Sequence, residues 1–333
     1  MQYNNQQVKV FEEGSSALYE ITGERLPVKR FIATTEETRQ ICNDPGVYGL
    51  QYTEALRRGC EDILRGLKNL EFSDMREEES LVLHLLRGGL NFGLREALGK
   101  AYGWNSHASA FISAQRARRK DAEDEWYITE SNYKKVQSPP ICSIFFGDVV
   151  ATGTSCEFAL RSVCDSVESQ GGQVRNIYFF TIGSPRAEQL LIEIDTHCKE
   201  RFSAYEGAAV IYFEGAFAVA SSETCIQIKI PGTDLLRRDS LLAPEFVESQ
   251  YGSPAFPLER CTIYDAGSRA FWIPEYLEDV CEYWEQILQL ARGGVTFADF
   301  LKERFPELDP QRFSRVDMEQ LCQEQIRKFR RSI

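Results

Sequence analysis

The stretch that decides the fold is "ICSIFFGDVVATGTSCEFAL", Ile141 to Leu160. An apolar run breaks at Gly147 into a lone aspartate, two valines, and a short series of small and hydroxyl residues. It then resumes at helical spacing. Apolar residues up to Phe146 predict a strand, which puts Gly147 and Asp148 at its carboxyl end. "SCEFALRSVCDSVES" predicts a helix that stops at Gly171 and Gly172. In an open α/β sheet, ligands bind at the carboxyl ends of strands. The unpaired N–H groups and positive dipole end of a following helix favour a phosphate there. Gly153 would let the backbone approach an anion closely, and Thr152, Thr154 and Ser155 would add hydroxyl donors. Asp148 is unsuited to a phosphate but suited to accept from sugar hydroxyls.

Working outward, the same alternation recurs. "SLVLHLL" (80–86) reads as a strand, "RGG" as a tight loop, and "LNFGLREALGKAYG" as a helix. "AFIS" (110–113) is a short strand before a long charged excursion to Pro140. "NIYFFTI", "RAEQLLIEIDTHCKE", "AAVIYF", "AFAVA" and "CIQIKI" continue the series. Strands alternating with helices of this length predict a mainly parallel sheet covered on both faces. Before it, residues 1–34 read as an N-terminal arm or small ribbon. Two helices follow, divided near Asn43 to Gly46. From 254 to 333 the chain reads as helices separated by Gly-Gly, Pro306 and Pro310, a C-terminal extension to the α/β domain of 35–253.

Composition narrows the function classes. A net charge of −12 argues against a general nucleic-acid binder, despite the basic runs "RARRK" (Arg116–Lys120) and "RKFRR" (Arg327–Arg331). No run of apolar residues reaches the length of a membrane span, and "MQYNNQQVKV" lacks the apolar core of a signal peptide. The ten cysteines stand singly, without a C-x-x-C pair, as expected of small buried hydrophobes in a reducing cytoplasm. His84, His107 and His197 have no ligand-spaced partners and read as core or surface histidines, so no direct protein metal site is expected. The P-loop pattern and the G-x-G-x-x-G fingerprint are both absent.

"GDVVATGTS" resembles the phosphoribosyl pyrophosphate (PRPP) motif of type I phosphoribosyltransferases: an apolar strand, two acids, two apolar and two small residues, then glycine and hydroxyls. "LHLLRGGLNFG" is similar to the strand and pyrophosphate loop of uracil phosphoribosyltransferases. "AFISAQRARRKD" with "WYITESNYKK" is similar to their flexible loop, and "IKIPGTDLLRRD" to the segment that closes over the base. The resemblance spans about residues 75–240 and implies the type I phosphoribosyltransferase fold, with helical additions at both ends. It implies that Asp148, Val149, Val150, Ala151, Thr152, Gly153, Thr154 and Ser155 bind PRPP. Gly88 and Gly89 would meet the pyrophosphate beside Arg87, with Arg116 closing over it. Arg87, Arg116 and Asp148 are then the catalytic candidates, and Ile230, Pro231 and Gly232 the base-binding ones.

The implied reaction is Mg²⁺-dependent transfer of phosphoribose from PRPP to a nitrogenous acceptor, pyrimidine-like in the nearest pattern, with release of pyrophosphate. Mg²⁺ would travel with PRPP, and a homodimer is compatible with the pattern. One departure stands out: Gly147 occupies the place of the motif's first acid. A non-catalytic regulatory protein that binds PRPP or a nucleotide is therefore the alternative, and a transferase with an unusual acceptor is a third.

Overall fold

Among the described residues, ten strands form one sheet whose central members run parallel. The structure, a computed structural model, describes residues 5–333 except 24, 69, 71–73, 87–88, 90, 120–121, 131, 151–153, 220–234, 259–262 and 265–271; for 115–130 and 154 it describes only backbone. The strands are β1 (Gln6–Glu13), β2 (Ser16–Thr22), β3 (Lys29–Thr34), β4 (Ser80–Leu86), β5 (Ala108–Ser113), β8 (Lys134–Lys135), β9 (Ile141–Val150), β10 (Gln173–Gly183), β11 (Gly207–Val219) and β12 (Leu235–Leu242). A separate ribbon pairs β6 (Gln115–Arg119) with β7 (Ala122–Glu130). The helices are α1 (Glu36–Asn43), α2 (Gly49–Leu67), α3 (Leu94–Tyr102), α4 (Thr154–Ser169), α5 (Arg186–Arg201), α6 (Pro244–Ser249), α7 (Ile273–Arg292), α8 (Phe297–Arg304) and α9 (Met318–Arg330).

The order across the sheet is β1-β2-β3-β11-β10-β9-β4-β5-β8, with β12 against β11. From β3 to β5 every neighbouring pair is parallel. The edges are antiparallel, through β1–β2–β3 on one side and β5–β8 on the other. The parallel part is buried on both faces because its strands carry continuous apolar runs, such as Ile144–Phe146 and Ile177–Phe180, rather than alternating ones. Phe145 stacks on Tyr178 and Phe146 on Phe179, at centroid distances of 4.8 and 4.1 Å. Neighbours along a strand point to opposite faces, so these two fully buried pairs lie on opposite sides of the sheet. Such a chain must be covered by helices twice over.

Connectivity then fixes where a ligand could sit. From β4 the chain passes through α3 to β5, stepping toward one edge. From β9 it passes through α4, β10 and α5 to β11, stepping toward the other. Strands β4 and β9 are neighbours, so the direction of winding reverses between them. Open α/β sheets bind their ligands at such a switch point, where the loops leaving the two strands diverge.

Sequence expectations and structure differ in three places. Strand β9 does not end at Phe146; it continues to Val150 because β10 goes on pairing with it as far as Gly183. The charged excursion before Pro140 contains the β6–β7 ribbon, which lies beside α4. The stretch "VKRFIA" supplies β3, which is buried and pairs in parallel with β11, so the N-terminal ribbon continues the main sheet. The C-terminal helices dock on the turn between α1 and α2. Tyr276 Oη donates to the Pro45 carbonyl at 2.7 Å, and Lys328 Nζ pairs with Asp44 at 2.8 Å. Their buried side chains are contiguous with the core around the sheet.

Candidate functional site

At the switch point the two strands part. Pairing between β4 and β9 ends at Leu83 and Phe146, while β9 runs on against β10 alone. Gly89, after β4, approaches this exposed edge of β9 so closely that a Cβ on it would stand 3.1 Å from the Gly147 carbonyl oxygen and 3.2 Å from Leu85 Cβ. Glycine is needed here for close passage of backbone over backbone. Gly89, in the segment after β4, therefore lies against the end of β9 that carries Gly147 and Asp148.

Asp148 stands on β9 within this junction, half-buried. Its Oδ1 accepts from the Val149 backbone N–H at 2.9 Å, and its Oδ2 accepts from Cys156 Sγ at 3.0 Å. Cys156 is buried in the first turn of α4, so the thiol ties the helix start back to the strand end. Helix α4 begins at Thr154, with Ser155 half-buried beside it. Its first N–H groups have no partner within the helix and present the positive end of a sixteen-residue dipole. Val150 is buried, and its carbonyl accepts from the Ser184 N–H at 3.1 Å, which anchors this edge to the loop after β10.

Of the sequence candidates, Gly89, Asp148, Val149, Val150 and Ser155 are brought together at the switch point. Arg87, Gly88, Ala151, Thr152, Gly153, Ile230, Pro231 and Gly232 lie outside the described residues. Thr154 opens α4, and Arg116 sits on β6 opposite Ile128, each described by its backbone alone.

The glycine in the first acid position has a packing reason. A Cβ on Gly147 would lie 2.3 Å from Phe92 Cγ and 2.4 Å from its Cδ1. Phe92 is fully buried and packs against Phe213 at a centroid distance of 5.8 Å. An aromatic ring thus fills the space where a second carboxylate would begin.

Three contributors were missed in the sequence: Phe92, Cys156 and the role of Glu214. The last left a signal, a lone acid inside the apolar run "GAAVIYFEGAFAVA". Glu214 is fully buried with φ of 65°, where the pairing of β11 with β10 shifts register. Its carboxylate accepts from Thr34 Oγ1 at 2.7 Å, from the Thr35 N–H at 3.2 Å, and from Thr38 Oγ1. Burial pushes it up to about 7, against the pull of those donors and of the Arg39 charge. It secures the first turn of α1 to β11, where Thr35 is the helix cap.

His84 is buried and stacked on Phe111 at 4.7 Å, and burial lowers its pKa, as it does that of His107 and His197. Among the described residues no group of three or more metal-ligating side chains is gathered. No described helix is long and apolar enough to cross a membrane.

No protein-family model matches the chain, and no curated protein matches it significantly. Among solved structures it is similar to an adenine phosphoribosyltransferase from Trypanosoma brucei, with 13% identity over 56% of this chain and 83% of that one, at a TM-score of 0.33. A hypoxanthine phosphoribosyltransferase from Staphylococcus aureus shows 14% identity over 48% and 73%, at 0.27. A hypoxanthine-guanine phosphoribosyltransferase from Bacillus anthracis shows 15% over 46% and 78%, also at 0.27. Each of these proteins is named for a purine base.

Proposed function

We propose that this chain binds PRPP at the β4–β9 switch point and transfers its phosphoribosyl group to a nitrogenous acceptor. One observation carries the reading: Gly89, distant in sequence, lies against the end of β9 where the winding of the sheet reverses, and Asp148 on that strand is tied to the first turn of α4. A ligand lying across this junction would place its 5-phosphate at the start of α4, by Thr152 to Ser155. Its ribose hydroxyls would face Asp148, and its pyrophosphate the loop of Arg87, Gly88 and Gly89. This arrangement separates the charges properly. Donors cluster at the phosphates, and the carboxylate lies where neutral hydroxyls donate.

In the reaction, the bond from ribose C1 to pyrophosphate oxygen breaks as a bond from C1 to the acceptor nitrogen forms, and the nitrogen's proton leaves to solvent. Arg87 and Arg116 would stabilise the charge gathering on pyrophosphate, where stabilisation lowers the barrier. The β6–β7 ribbon carrying Arg116 would close from beside α4 and exclude water, a competing nucleophile. Mg²⁺ would arrive bound to the phosphates of PRPP and supply positive charge at the pyrophosphate, while Asp148 stays with the ribose hydroxyls.

A second reading has its own support. With Phe92 in the place of the first acid, ribose recognition rests on one carboxylate, which suits a protein that binds PRPP or a nucleotide and signals without transfer. Calorimetry with PRPP and Mg²⁺, followed by pyrophosphate release with a panel of pyrimidines and purines, separates the two. Asp148→Asn should weaken PRPP binding by about tenfold or more, the value of a charge-assisted hydrogen bond. Unchanged binding in a folded Asp148→Asn protein would overturn both readings.

A further inference from the structure

We propose that Cys156 is the positioning residue that sets the ribose selectivity of this site, acting through the carboxylate of Asp148. The inference rests on the PRPP reading above. A carboxylate on a strand end can rotate about its side-chain bonds, and a ribose hydroxyl rewards only one orientation. Here both oxygens are engaged from the protein side: Oδ1 by the Val149 N–H at 2.9 Å, Oδ2 by the Cys156 thiol at 3.0 Å. The carboxylate has only acceptor positions, so the thiol is the donor.

The thiol bond also bridges eight residues, from β9 to the first turn of α4. It therefore holds the carboxylate in one orientation from the helix side. Cys156 is only 1% exposed, so it does not touch the ligand itself. Cysteine suits the task because a serine so early in a helix is drawn to backbone partners of its own turn. A thiol competes less and leaves its hydrogen for the carboxylate.

The test compares ribose 5-phosphate with 2-deoxyribose 5-phosphate by calorimetry on the full chain. Both carry the same phosphate, so the ratio of their affinities isolates the hydroxyl end of the site. Wild-type protein should prefer the ribose compound. Cys156→Ala should cut that preference about fivefold, a net hydrogen bond's worth, while affinity for the deoxy compound stays near wild type. Cys156→Ser should restore part of the preference, since its hydroxyl donates but is shared with the backbone. A merely structural role would lower melting temperature and weaken both ligands alike. If Cys156→Ala does not fold, Cys156→Val, which keeps buried volume without a donor, takes its place. Asp148→Asn is the control. If it collapses the preference while the Cys156 variants keep it, the positioning role is wrong and the PRPP reading stands. If Asp148→Asn leaves the preference intact, or wild type shows none, the reading of the site itself falls.

Discussion

Replacing Gly147 by alanine adds a single methyl group at the centre of the site's packing. That carbon would stand 2.3, 2.4 and 2.9 Å from Cγ, Cδ1 and Cβ of Phe92. Carbon atoms pack best at about 3.5–4.0 Å, so the overlap exceeds about 1 Å. The ring has no exit: it is fully buried and backed by Phe213. Overpacking of this kind costs about 1–3 kcal/mol, and so rigid a neighbour places Gly147→Ala near about 3 kcal/mol. For 333 residues, an unfolding entropy of about 2.1 cal/mol/K per residue gives a fall in melting temperature of about 4 °C. Scanning calorimetry measures it. The decisive comparison is a double-mutant cycle with Phe92→Ala, which alone should cost about 3–5 kcal/mol through the cavity it leaves. In that background the added methyl enters vacated space and should cost nothing, giving a coupling of about 2–3 kcal/mol. An unchanged melting temperature in Gly147→Ala, or the same loss in both backgrounds, would refute the claim that Phe92 dictates this glycine.

Other expectations follow from the same geometry. Gly147→Asp combined with Phe92→Ala should tighten PRPP binding relative to Phe92→Ala alone, read by calorimetry; no gain would mean that position 147 does not face the ribose. Glu214 predicts a pH signature, because burial raises its pKa from the ordinary 4.5 to about 7. Between those values the folded protein keeps a proton that the unfolded chain has released, so stability falls as pH rises across the window. This contribution is whole below about pH 4.5 and gone above about pH 7, and Glu214→Gln should flatten the slope in urea titrations at a series of pH values. Tyr276→Phe removes the donor to the Pro45 carbonyl and should cost about 1–2 kcal/mol in the same assay; no change would mean that this bond does not hold α7 to the α1–α2 turn.

Much of the architecture was legible along the chain because its signals are local. Helix α4 could be read from its apolar spacing and from the glycine after it, and Gly171 does adopt the left-handed conformation, at φ 74°. The division of α1 from α2 followed from Asn43 to Gly46, and it falls there. The break in the apolar run at Gly147 marked the loop that the switch point receives. What stayed hidden depends on partners far away in sequence. Strand β9 lasts to Val150 only because β10 still pairs with it after β4 has left. Gly147 is explained by a ring fifty-five positions earlier, and the orientation of Asp148 by a thiol across the loop. Glu214 is tolerated in an apolar strand because the end of β3 and the first turn of α1 deliver two hydroxyls and an N–H to it. Side-chain periodicity and turn chemistry are written in neighbouring residues, so the sequence by itself determined the elements and the place of the loop. Which strands become neighbours, and which side chains then compete for the same space, is decided only when the chain closes on itself.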